Sequence, residues 1–295
     1  MIDYIKLTKR LNQSEEKLLK KSIDFYSTYN IATGAEEDIT RQGKVKGSHN
    51  HTYEKNLKIR LLHKGWCEIS GSIHKYHNNG EHNFNQFTKL DFEHAVNELC
   101  QRLDINIWQF NLSGVEFGVN LKSHFSTEQI MSSLIRYKNK EFLQQRHDDE
   151  GDYKQAVLTE YKVKAYDKRQ HYESQGYEFE HDIFRFELKY NSLRSLKALG
   201  IYQLEDLKER MCLLTPLLLK AWDNTLFFDD SIKKSIKPEQ FNDYSNQRFW
   251  NKRVSKKQSS YRYHCKKLRI FNEKYGMNIH SRIRGEIQTK LNDLV

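Results

Sequence analysis

Two stretches of this chain alternate apolar and polar residues without a break. They are Val115-Glu116-Phe117-Gly118-Val119-Asn120-Leu121 and Phe184-Arg185-Phe186-Glu187-Leu188-Lys189-Tyr190. Successive side chains of a strand point to opposite faces, so each stretch predicts a strand with one apolar and one polar face. The polar faces carry Glu116, Gly118 and Asn120 in the first, and Arg185, Glu187 and Lys189 in the second. A third stretch, Tyr161 to Lys168, sets Val163 and Ala165 against Lys162, Lys164, Tyr166 and Lys168. In Trp66-Cys67-Glu68-Ile69-Ser70, Glu68 faces away from Cys67 and Ile69. Such one-sided strands suit an antiparallel sheet far better than a doubly covered parallel one.

The rest of the chain fits that sheet. Ile2 to Leu7 alternates and reads as a strand, and Leu57–Leu61 and Cys67–Ile69 flank a turn at His63-Lys64-Gly65. Phe92, Ala95, Val96, Leu99 and Leu103 fall on one helical face, predicting a helix over 90–103. Ser126-Thr127-Glu128-Gln129 reads as a capping box opening a further helix. A polar loop with Gly176 separates the Tyr161 and Phe184 strands. Beyond Gly200 the pattern turns helical: 204–214, then a helix opened by Thr215-Pro216, and finally 260–275 stopped by Gly276. The predicted class is α+β, an antiparallel sheet with helices on one face over residues 1–200, followed by a helical, basic region over 201–295.

Charge is concentrated at one end. The chain of 295 residues has 49 Lys and Arg against 39 Asp and Glu, a net charge of +10. Residues 248–295 hold thirteen of the cations and three of the acids, so they account for that whole excess and the first 247 residues are neutral. An anionic partner is favoured. Lys252, Arg253, Lys256, Lys257, Arg262, Lys266, Lys267 and Arg269 are interleaved with Trp250, Tyr261, Tyr263 and Phe271, a mixture suited to phosphate contact and base stacking. The competing reading is a merely solvated charged helix. No run approaches the ~18 apolar residues of a membrane span. The four cysteines lie far apart, which argues for a reducing, cytoplasmic setting rather than disulfides or a zinc site.

The polar sheet face has a chemistry of its own. Were Glu68, Glu116 and Glu187 neighbours, a divalent cation such as Mg²⁺ or Mn²⁺ would relieve their repulsion, and removing one carboxylate would relieve it too. A metal there would polarise a scissile phosphate, and a tyrosine beside it could attack phosphorus. Lys164 and Lys168 flank Tyr166 and would favour its phenolate. The plain alternative is a solvated sheet face with cross-strand ion pairs.

Several short blocks, in order, carry a resemblance. They are Met1-Ile2-Asp3; Glu68-Ile69 with Ser72 and Lys75, then Gly80-Glu81-His82-Asn83-Phe84; Leu112 to Asn120; Lys164-Ala165-Tyr166-Asp167-Lys168; and Phe184-Arg185-Phe186-Glu187 followed by Leu196 to Gly200. Together they resemble the rolling-circle replication initiators of filamentous phages and related plasmids, the gene II/gene X family of nicking-closing endonucleases. Two positions depart from that pattern: Glu81 lengthens the loop, and Gly114 stands where phage members tend to have arginine. The resemblance implies that Tyr166 attacks an origin phosphate, with Lys168 and Arg185 stabilising phosphate charge. It implies Glu68, Glu116, Glu187 and His82 as the Mg²⁺ or Mn²⁺ site, and Lys164 with the basic tail as DNA contacts. The implied partner is origin DNA, single-stranded or supercoiled duplex, with a host polymerase or helicase to follow, in a bacterial cytoplasm and without a membrane. Two other readings remain: a non-catalytic DNA-binding regulator of replication or transcription, and a metal-dependent nuclease that uses activated water. His49-Asn50-His51 has the spacing of a histidine metal motif in polar surroundings, and His74 and His77 read as solvated loop imidazoles.

Overall fold

The computed structural model describes residues 2–27, 37–39, 45–47, 50–147, 151–256 and 258–294. Met1, His49 and Lys257, which the sequence reading singled out, lie outside them. In chain order the elements begin with β1 (Ile2–Arg10), α1 (Gln13–Ser22), β2 (Glu37–Ile39), β3 (Val45–Gly47), β4 (Asn50–Glu54), β5 (Leu57–Leu62), β6 (Trp66–Ser72), α2 (Ile73–His77), α3 (Lys89–Leu103) and β7 (Asn111–Leu121). Next come α4 (Thr127–Ser133), β8 (Leu134–Tyr137), β9 (Lys140–Glu141), β10 (Leu143–His147), β11 (Gly151–Val157), β12 (Tyr161–Asp167), α5 (Lys168–Glu173) and β13 (Phe184–Tyr190). The last are α6 (Arg194–Lys197), α7 (Leu204–Glu209), α8 (Leu214–Asp223), β14 (Thr225–Phe227), α9 (Pro238–Ser245), α10 (Gln247–Lys256), α11 (Gln258–Tyr275) and α12 (Ile279–Asn292). The α+β class holds, with antiparallel pairing in the described strand registers.

The chain divides into two compact units, neither continuous in sequence. One comprises Met1–Gly118, Lys189–Leu214 and Leu294–Val295; the other comprises Val119–Leu188 and Thr215–Asp293. In the first unit the strand order is β7-β1-β6-β5-β4. Leu62 pairs with Trp66 across the β5–β6 connection, where Lys64 and Gly65 both take left-handed φ of 61° and 74°. The α3 stripe predicted from spacing is buried in full, and Thr88 closes a capping box with Asp91 at its start. That stripe, with Ile5, Leu7, Ile59, Ile69 and Val115, makes up much of the unit's apolar interior.

In the second unit the order is β10-β11-β12-β13. Trp222 of α8 lies against the apolar face of β13, its ring 5.0 Å from that of Phe186 and 6.2 Å from that of Phe184. The indole also stacks on His280 at 5.1 Å, and Nε1 donates to the His280 carbonyl. Ile279, Ile283, Ile287 and Leu291 form the buried stripe of α12.

Local expectations fail where a turn intervenes. Helix α7 ends at Glu209, and a separate 3₁₀ turn occupies Met211–Leu213. Helix α8 starts at Leu214, which leaves Pro216 inside the first turn, where its missing N–H costs nothing. The loop expected after Tyr166 begins with helix α5, capped by Asp167. His74 and His77 belong to helix α2, and His74 is fully buried, stacked on Phe87 at 4.5 Å, rather than solvated. Gly276 ends α11 without left-handed φ. Its requirement is space: a Cβ there would stand 2.6 Å from both the Asn272 carbonyl and Asp229 Oδ2.

Candidate active site

Alternation along β12 and β13 assembles a polar cluster in the second unit. Tyr166 lies opposite Tyr153 of β11, and Lys164 lies opposite Gln155. The Tyr166 hydroxyl stands 3.5 Å from Glu187 Oε2, and Lys164 Nζ pairs with Glu187 Oε1 at 2.8 Å. Lys164 Nζ sits 5.6 Å from the ring centres of both Tyr166 and Tyr153. Behind them, Arg185 Nε donates to Glu187 Oε2 at 2.7 Å, and Arg185 Nη1 donates to Asn120 Oδ1 at 3.0 Å. Arg185 and Glu187 are both 0% exposed. This is no solvated sheet face. A buried carboxylate and guanidinium persist only because each satisfies the other.

Lys168 departs from its predicted place. Strand β12 stops at Asp167, whose carboxylate accepts from the Arg169 amide at 2.9 Å, and Lys168 becomes the first residue of α5. Its backbone N–H donates to Ile183 and its side chain is buried. The alternation that would set Lys168 beside Tyr166 therefore ends one residue too soon. Burial pushes the Asp167 carboxyl above its ordinary range, partly offset by the Arg169 amide and guanidinium.

The first unit holds the other predicted carboxylates. Glu68 pairs with Lys6 at 3.0 Å and with Arg60, its cross-strand partner. Burial alone would raise its pKa, but the two cations outweigh burial and hold it below the usual carboxylate range. Glu116 pairs with Lys189, whose ammonium lies 4.9 Å over the Tyr4 ring. Gly114 is the cross-strand partner of Lys6, and a Cβ there would stand 3.2 Å from that of Lys6, so an arginine at this position would displace Lys6. His82 stacks on Phe84 at 4.0 Å, with Asn78 Nδ2 3.4 Å from its Nδ1.

Among the described residues, no group of three or more His, Cys, Asp or Glu side chains is arranged to hold a metal ion. Glu68, Glu116 and Glu187 are each neutralised by lysine or arginine instead. As arranged, this donor set does not fit a shared divalent ion, which would have to displace Lys189 or Lys164 from its carboxylate.

Known proteins give little beside this geometry. No family model and no curated protein matches the chain. A solved structure of a rolling circle replication initiator protein from Geobacillus stearothermophilus is similar with a TM-score of 0.39 and 12% identity, over 76% of this chain and 84% of that one. That likeness is too slight to assign a fold or a reaction.

Asp3, Asn83 and Asn120, named from sequence without a role, and Tyr153, not named at all, complete these clusters. The Asp3 carboxylate receives Asn83 Nδ2 at 2.8 and 2.7 Å and the Ser72 hydroxyl, so the start of the chain and the Gly80–Phe84 block fold onto one another. Both blocks were visible as similarities, while their contact was not. Asn120 orients Arg185, and Tyr153 flanks Lys164. The signal for Asn120 was only its place on the polar face of an alternating strand, and Tyr153 lies in a strand that the sequence pattern did not mark.

The basic tail is organised differently from the mixture its sequence suggests. Trp250 is 0% exposed and packs with Leu226, Phe228, Ile232, Tyr244, Phe249 and Leu268. Tyr261 and Phe271 pack against the same cluster, so the interleaved aromatics are core, and only Tyr263, 61% exposed, stands free to meet a base. Arg253 lies 3.2 Å over the Phe249 ring, and Lys267 lies 5.6 Å from that of Phe271. Lys252, Arg262, Lys266 and Arg269 are exposed, and Lys256 closes α10.

Proposed function

We propose that this protein is a DNA strand transferase that nicks a replication origin through Tyr166 and so starts rolling-circle replication. The observation that carries this reading is the tyrosine hydroxyl 3.5 Å from a buried carboxylate, with a lysine beside both. Free phenol titrates near ~10 and is a poor nucleophile at neutral pH. Glu187 is placed to take the Tyr166 proton as the oxygen attacks phosphorus, and the Lys164 ammonium favours the negative charge that develops. The P–O bond to the preceding 3′ oxygen breaks and that oxygen takes up the proton released from Tyr166, leaving a 3′-OH for a polymerase and the 5′ phosphate on Tyr166. The reverse transesterification, with a new 3′-OH, closes the displaced circle.

Arg185 has no exposed surface, so its part is to orient Glu187 rather than to touch phosphate. Lys168, buried at the start of α5, is given no part at the phosphate.

The experiment is a search for an SDS-stable protein–DNA adduct, using single-stranded oligonucleotides tiled across the DNA that carries the gene. Wild type should give the adduct. Tyr166→Phe, which loses one oxygen and no ring, should give none while still binding DNA. Cleavage without an adduct would establish the activated-water nuclease instead, and binding without cleavage would establish the regulator. Repeating the wild-type reaction in EDTA decides whether a divalent ion takes part.

A further inference from the structure

A cleft of about 950 Å³ in the second unit is lined by the β8–β9 turn on one side and by a flank of α11 on the other. Among the described residues its lining includes Lys138, Arg262, Lys266 and Arg269 and no carboxylate. We propose that this cleft binds the sugar–phosphate backbone of duplex DNA. The proposal rests on the DNA-nicking reading above and names where duplex flanking the nick would be held.

Spacing supports it first. Arg262, Lys266 and Arg269 are four and then three residues apart, so they share one flank of the helix over about 10 Å of its axis. A duplex strand carries one charge per ~3.4 Å of axis, so about three successive phosphates match that span. Rigidity supports it next. The turn at Lys138 has a left-handed φ of 53°, its N–H donates to the Asn224 carbonyl at 3.0 Å, and its own carbonyl accepts the Tyr261 hydroxyl. Arg269 is tethered by a bond from Nη2 to the Asp223 carbonyl at 3.0 Å. Walls fixed in this way lose little freedom when a ligand arrives.

The choice of duplex follows from the rings. Single-strand grooves combine cations with aromatic platforms for stacked bases. Tyr261 is the aromatic residue of this lining, and its ring is packed against Trp250 at 6.2 Å with its hydroxyl already bonded. Asn139, Asn224 and Gln258 also line the cleft, beside Val254 and Cys265, and amide groups suit phosphate oxygens.

The test compares two double variants of the full chain. Arg262→Gln with Lys266→Gln removes two cleft cations that are exposed on α11, and Lys234→Gln with Lys237→Gln removes two exposed cations outside both the cleft and the basic tail. Binding to a 30-base-pair duplex of arbitrary sequence is followed by fluorescence anisotropy between 50 and 200 mM salt, with thermal melts to confirm folding. The slope of log K against log salt should fall by about 1.8 for the cleft pair, at ~0.9 per lost phosphate contact, and stay unchanged for the other pair. Equal falls in both, or none in the cleft pair, would overturn the proposal. A loss confined to a single-stranded probe would overturn the duplex assignment. The adduct assay on the same variants separates the two readings. An adduct with an unchanged slope sinks the cleft alone, whereas a changed slope without any adduct from wild type sinks the nicking chemistry alone.

Discussion

The β12–β13 face and the α10–α11 tail are built from the same ingredients, cations among aromatics, and sort them in opposite ways. In the strands the charges go inside: Arg185 and Glu187 are fully buried and Tyr166 keeps partial exposure. In the helices the rings go inside: Trp250 and Phe249 are buried while Lys252, Arg262 and Lys266 remain in water. A helix of this sequence can turn its apolar stripe inward and leave most of its cations in water. A strand has two faces only, and if the polar one is also covered, its charges must find partners. Burial of charge is the costlier arrangement, and it sits where the chemistry is proposed.

Glu187→Gln tests the buried side of that contrast. It leaves Arg185 without its ion pair, so the expected loss of stability is about 3–5 kcal/mol by denaturant melts. The opposite sign, a gain from relieved carboxylate repulsion, is what an unpaired acidic cluster would give, and finding it would break the comparison. Trp250→Ala tests the tail, with an expected cost of about 3–5 kcal/mol if the ring is core. A change below ~0.5 kcal/mol would return the indole to the surface as a stacking platform. Deleting residues from Arg248 onward is a poor probe of DNA binding for the same reason, because Leu268 and Trp250 leave with the charges.

A smaller effect concerns Glu68, whose folded pKa lies below its ordinary value. Its pairing with Arg60 and Lys6 is fully stabilising above the ordinary carboxylate value of ~4.3 and is lost as pH falls through the lower folded value. Melting temperature should therefore fall more steeply below pH ~4.5 in wild type than in Glu68→Gln, and parallel curves would count against the pairing. The smallest is Tyr263→Ala, an exposed position expected to stay within ~0.5 kcal/mol.

Much of the sheet was legible because period two is a strong signal over seven residues. The α3 stripe was legible for the same reason at period 3.6. What escaped was set by single capping events: Asp167 ends β12 and takes Lys168 out of line, and the 3₁₀ turn at Met211 splits an otherwise helical run. Asp3 and Asn83 escaped because eighty residues separate them, and no local pattern reports a contact of that span. Cross-strand ion pairs were foreseen as an alternative, but the partner of each carboxylate was not legible, since alternation tells which face a residue takes but not who stands opposite.

The interruption of both units along the chain has a consequence for how the protein is made. Strand β12 leaves the ribosome well before Trp222 and His280, which back the neighbouring strand β13. The first unit in turn waits for residues 189–214 and for Leu294, whose carbonyl accepts from the Lys89 amide. Neither half can finish as a nascent intermediate, so both complete late and nearly together. A ribosome that stalls anywhere before α12 thus releases an incomplete fold, with the strand beside Tyr166 still lacking the His280 contact behind Trp222.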